Sequence, residues 1–206
     1  MRVYPAQCTR YDWYAVEGIN VNYAPLQRQW ARRILRHYRM ATSDQIQQGI
    51  DWYPNARKAL EPYCDVWSPS IACGVCAVLS PRVTWKDCLR YTGKMHGSIS
   101  QGLRVPPVCG GVRRNVNRAW YIAESGDTSV ISGPKVRSFY ANLSGDFTAV
   151  TCDEWIARAV GTKLNMGHDN RYRAIADTFR NVATRLSLAP AALQAIVWIV
   201  VRGNHE

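Results

Sequence analysis

The sequence predicts an all-α fold. Apolar residues recur at three- and four-residue spacing through most of the chain. Ser, Thr, Asp and Pro stand where helices would begin. No segment reads as a strand, and there is no internal repeat or low-complexity tract.

The elements follow in order. Residues 1–23 read as irregular, with Pro5 and two aromatic clusters. Residues 24–39 form a helix with Pro25 in its first turn. There Leu26, Trp30, Ile34, Leu35 and Tyr38 share helical spacing, while Arg28, Arg32, Arg36 and Arg39 cover another face. Thr42 or Ser43 caps a helix through residue 52, and residues 55–63 make a short one. Residues 70–79 are apolar nearly all round, which predicts a central buried helix. The chain breaks at Pro81 and resumes as a helix to residue 91. Residues 97–112, rich in Gly and Pro, read as a long loop. Helices follow at 112–124, from the Gly133 turn to Leu143, after Asp153, at 171–186 and from Pro190 onward.

Composition bounds the function. With 206 residues and 47% hydrophobic content the chain can bury a sizeable core, and eight Trp and eleven Tyr argue against disorder. The net charge is +11, carried by 21 Arg against 5 Lys, so a polyanion is the expected partner. Arg suits bidentate contacts to phosphates and base edges. The seven cysteines (Cys8, Cys64, Cys73, Cys76, Cys88, Cys109 and Cys152) are scattered, and no apolar run follows the N-terminus. Free thiols and a cytoplasmic setting, in a bacterial or phage-infected cell, are expected. Cys73-x-x-Cys76 lacks a second pair, and His168 and Asp169 lack further ligands nearby, so no metal site is expected. The apolar run from Ala191 to Val201 is too short to span a bilayer.

Two segments carry chemistry. Val130–Phe139 (VISGPKVRSF) opens a helix with a Gly-Pro-Lys turn, and Asp153 in Thr151–Trp155 (TCDEW) follows eighteen residues after Lys135. A glycine turn before a helix exposes backbone N–H groups that can hold a phosphate. Lys135 and Asp153 can offer an amine and a carboxylate to one pocket.

With Ala77–Arg82 (AVLSPR), Val130–Lys135 (VISGPK) and Ala149–Asp153 (AVTCD), the order of elements resembles the helix-hairpin-helix DNA glycosylase superfamily, over about residues 68–160. There an apolar helix ends in an L-S-x-Q-like turn, a hairpin reads roughly L-P-G-V-G-x-K, and an aspartate follows at a similar spacing. This chain has one hairpin glycine where the family usually has two, and Arg82 where it has Gln. The iron–sulfur cysteines of some members are absent.

The resemblance implies two helical lobes with a DNA cleft between them. Residues 1–65 and 156–206 would form one lobe, and 66–155, with the hairpin at 131–139, the other. It implies a monomer acting without a cofactor on double-stranded DNA with an extruded base. Asp153 would be the catalytic carboxylate, and also reads as a helix N-cap. Lys135 would be a lyase nucleophile, or a phosphate contact. Arg82 would be a wedge, or a surface turn residue. Gly133, Pro134, Val136, Arg137, Arg113 and Arg114, joined by Arg118, would face the DNA backbone. Trp85, Trp120, Tyr140 and Trp155 are candidates for stacking on the base, or for the core. The function implied is release of a modified or damaged base, with a hypermodified phage base as one case. A transferase on modified thymine and a non-catalytic DNA-binding protein are the alternatives.

Overall fold

The computed structural model describes residues 23–163 and 169–203, and these build an all-α protein. The helices are α1 (Ala24–Met40), α2 (Ser43–Lys58), α3 (Pro69–Leu79), α4 (Trp85–Ser100), α5 (Arg113–Ser125), α6 (Pro134–Leu143), α7 (Glu154–Val160), α8 (Asp169–Arg185) and α9 (Pro190–Gly203). Short 3-10 turns lie at Glu61–Tyr63 and Thr128–Val130. The expected irregular segment before residue 23, Cys8 and His168 lie outside the described residues.

Capping chemistry sets most starts. Thr42 and Gln45 form a capping box on α2. The Ser68, Thr84 and Asp153 side chains accept backbone N–H bonds at the starts of α3, α4 and α7. Three elements differ from the sequence expectation. α2 continues through Pro54, where a break was expected between residues 52 and 55. Pro54 removes one backbone donor, but Tyr53 and Ala56 on either side are buried and hold the helix in line. α4 runs to Ser100, so the loop begins at Gln101 rather than at 97; buried Met95 and Ser98 anchor the last turns. α8 starts two residues earlier than expected, at Asp169.

Buried side chains form two clusters. The first joins α2 through α6, with Leu60, Val75, Met95, Ile122 and Leu143 at its centre. The second joins α1, α7, α8 and α9 around Trp30, Ile156, Ile175, Phe179 and Leu193. α9 bridges them, since its Ala191 and Ala195 belong to the first cluster and its Leu193 and Val197 to the second, and it lies along α2. Among the described residues no single helix is long and apolar enough to cross a membrane, and α8 and α9 bend through 103° at the break between them.

The α2–α9 approach is close because Gly49 has no side chain. A Cβ there would stand 2.7 Å from the backbone nitrogen and 2.8 Å from the Cα of Ile196. Backbone atoms cannot step aside as a flexible side chain can. Gly49→Ala is expected to destabilise the protein by about 1–3 kcal/mol through overpacking, despite the roughly 1 kcal/mol that Ala gains over Gly in a helix. Urea denaturation of the two forms measures this directly.

Candidate active site

Where the two clusters meet, α2, α4, α6 and α9 enclose an open cavity of about 120 Å³. That is well above the roughly 10–15 Å³ needed by one water. Trp52, Trp85, Phe139 and Trp198 supply aromatic walls. Trp52 sits among the others, with ring centroids 5.4 Å from Trp85, 6.0 Å from Phe139 and 6.2 Å from Trp198. These rings already touch, so a planar ligand would stack on the face of the cluster rather than between its members.

Asp153 and Lys135 both face this cavity. Asp153 is the N-cap of α7, and its two oxygens have separate partners. Oδ1 accepts from the Ile156 backbone N–H at 3.0 Å, and Oδ2 accepts from Trp198 Nε1 at 3.0 Å. The cap and the indole together fix the plane of the carboxylate. Burial pushes its pKa above the ordinary carboxylate range, against the opposing pull of the Ile156 N–H, the Lys135 charge and the Trp198 indole.

Lys135 lies in the first turn of α6, which begins after Gly133 at φ +84°. A Cβ at Gly133 would meet nothing within 4 Å, so the backbone angle alone favours glycine there. Lys135 Nζ donates to Ser80 Oγ at 2.7 Å and stands 5.0 Å from the Phe139 ring centroid. Ser80 Oγ in turn donates to the Ala77 carbonyl at 2.9 Å, so its lone pairs face the amine. Burial lowers the Lys135 pKa, and the Asp153 charge offsets part of that. The low-dielectric wall thus pushes acid and amine alike toward their neutral forms.

Asn142 lies behind the lining residue Thr151 and fixes its hydroxyl. Asn142 donates through Nδ2 to the Asp146 and Ala149 carbonyls, at 2.8 and 2.9 Å. Its Oδ1 accepts from Thr151 Oγ1 at 2.7 Å. Tyr53 donates to Gln194 Oε1 at 2.7 Å, and burial raises the Tyr53 pKa, keeping it a phenol. At the mouth, the Arg202 guanidinium lies 4.8 Å from the Trp198 ring centroid.

A family model described as a family of unknown function (DUF7178) matches residues 19–205. The chain belongs to this family. No curated protein and no solved structure matches it.

The other sequence-predicted residues of this DUF7178 chain are distributed as follows. Trp85 lines the cavity, while Trp120, Tyr140 and Trp155 do not. Trp120 is buried in the first core cluster. Tyr140 bonds the Ser70 hydroxyl at 2.7 Å. Trp155 packs on the second cluster, with the Arg158 guanidinium over its ring. Helical spacing brought these three near the motifs in sequence but turned them away from the pocket.

Arg82 is exposed in the α3–α4 turn, at φ +64°, a conformation uncommon for a residue with a side chain. Arg113 and Arg114 are exposed at the start of α5. Arg137 Nε donates to the Ile131 carbonyl and Arg118 Nη1 to Ser132 Oγ, so both bind the turn that carries Gly133 and Pro134. Val136 packs against the first cluster. Cys73 and Cys76 are buried in α3, where Cys73 Sγ donates to the Leu143 carbonyl and Cys76 Sγ lies 3.4 Å from Cys88 Sγ.

Sequence reasoning missed Trp52, Tyr53, Phe139, Thr151, Gln194 and Trp198 as lining residues. One signal was present: Gln194 is the polar interruption of the otherwise apolar run Ala191–Val201.

Trp198→Phe keeps an aromatic wall but removes the indole donor. Since that bond favours the charged carboxylate, the Asp153 pKa is expected to rise further. Carboxyl-carbon NMR titration of both proteins reads the shift, and an unchanged or lowered pKa contradicts the assigned bond.

Proposed function

We propose that this protein is a DNA glycosylase that takes a modified or damaged base into the cavity and cleaves its bond to the sugar. The observation that carries the reading is the meeting of an oriented, desolvated carboxylate and a desolvated amine on one aromatic-walled cavity. The net charge of +11 and the exposed Arg82, Arg113 and Arg114 suit a phosphate backbone outside it.

An enzyme acting on a duplex base must extrude it, and a ring face such as the Trp52 cluster replaces the lost stacking. When the C1′–N bond breaks, its electron pair leaves with the base and positive charge builds on the sugar. The Asp153 carboxylate stabilises that charge and orients water toward C1′. The water's proton passes to the carboxylate or to solvent, leaving an abasic site. An ammonium at Lys135 would oppose the developing charge, whereas a neutral amine does not, so the burial that lowers the Lys135 pKa favours the reaction. The same neutral amine can attack C1′ as the base leaves with its bonding electrons; the amine's protons are lost and the C1′–O4′ bond opens to a Schiff base, from which β-elimination expels the 3′ phosphate and cleaves the strand.

The test is incubation with DNA from unmodified and base-modified phages. Released bases are followed by mass spectrometry and abasic sites by an aldehyde-reactive probe. Asp153→Asn is expected to lower release by about 10²–10⁴-fold with little change in melting temperature, because Asn caps a helix about as well as Asp. Release unaffected by that change would sink the role given to Asp153. Nucleosides that change mass on adding amino acids or amines, with the base still attached, would assign the cavity to a transferase instead.

The pH dependence has a definite sign. A raised Asp153 pKa means that the charged form needed for base release is lost while pH is still above the usual carboxylate range. A lowered Lys135 pKa means that the free amine persists below the usual lysine range. The acid limb of base release is therefore expected to be displaced upward. Borohydride trapping of a Lys135-dependent adduct should reach its plateau at a pH below the ordinary lysine pKa. Single-turnover rates across pH measure both.

A further inference from the structure

Gln194 is only 4% exposed, yet half of its amide is uncommitted. Its carbonyl accepts from Tyr53. Its Nε2 has no hydrogen-bond partner among the described residues and is not among the polar atoms sealed from solvent, and the residue lines the cavity. An amide donor at so buried a position is destabilising unless a partner reaches it. Thr151 stands in the same wall with the opposite polarity. Its hydroxyl hydrogen is committed to Asn142 Oδ1, whose amide is itself fixed by two backbone carbonyls. Thr151 Oγ1, which also stands against the Tyr53 hydroxyl, therefore has only lone pairs to offer. The cavity lining thus presents an unpaired donor and an acceptor.

We infer that Gln194 is the specificity-determining residue, donating its amide N–H to a ring carbonyl so that the cavity selects bases with a lactam edge, C=O beside N–H, over amino-bearing rings. This rests on the glycosylase reading and names its substrate class. The ring carbonyl takes the Gln194 N–H, and the adjacent ring N–H meets Thr151 Oγ1. An amino group at the carbonyl position would set donor against donor and leave both unsatisfied, which adds rejection to the loss of attraction.

The experiment uses the full chain and free bases, read by quenching of the tryptophans that line the cavity. Uracil, thymine and hypoxanthine are the lactam probes; 1-methylcytosine, adenine and 1,3-dimethyluracil lack the complete edge. In the natural protein the lactam set is expected to bind about tenfold tighter or more, the worth of one hydrogen bond near 1.4 kcal/mol. Gln194→Met, of similar size, removes the amide donor without placing a titratable group in the cavity, and it should bring that ratio close to one. Gln194→Leu is a second variant, for use if the first melts early. A preference that survives both variants, or no quenching of the natural protein by any base, overturns the role of Gln194. The Asp153-dependent release assay is run alongside. Release with its base selectivity unchanged in the Gln194 variants would leave the glycosylase standing and remove this inference. A Gln194-dependent lactam preference without release would keep the recognition and remove the catalysis.

Discussion

The site depends on how closely α2 and α9 approach. Gly49 against the Ile196 backbone brings the helix axes near enough for Tyr53 to reach Gln194 across the seam. The same approach sets Trp52 beside Trp198, and Trp198 on the Asp153 carboxylate. The two core clusters meet along this line, so one small residue sets the spacing of two of the lining helices. A looser seam would cost apolar packing and would also free the indole that orients the acid. Fold and site are here the same constraint, read at different residues.

The second organising term is desolvation. Aromatic side chains supply much of the cavity wall, and its charged groups and Thr151 are held by partners with limited freedom. Asp153 has a backbone N–H and an indole; Lys135 has a hydroxyl already committed elsewhere; Thr151 has an amide locked to two carbonyls. Such preorganised dipoles cost no rearrangement when charge moves, the physical basis of electrostatic stabilisation at reacting centres.

Much of this was legible in the sequence, and the rest was hidden for identifiable reasons. Caps and apolar spacing marked most of the helices among the described residues because they are local signals, as at Thr42 and Asp153. The Lys135 and Asp153 pair was legible as a motif, and the two residues share one cavity. The aromatic wall was not legible. Trp52 and Trp198 are 146 residues apart in sequence, and only the α2–α9 contact joins them. Conversely, Trp120, Tyr140 and Trp155 are near the motifs in sequence and away from the pocket in space. Proximity along the chain is a poor guide on a helix, where neighbours diverge by about 100° per residue. Helix length was misjudged where burial overrode composition, at Pro54 and at the end of α4.

Asp153 has two employments, and they are thermodynamically linked. Its Oδ1 holds the Ile156 amide at the start of α7, and Ile156 is fully buried in the second core cluster. Protonation or occupation of the carboxylate therefore changes the strength of the bond that starts α7. By reciprocity, whatever tightens the first turn of α7 also favours the charged acid. The second cluster is thereby in communication with the cavity through a single side chain, with no moving domain required.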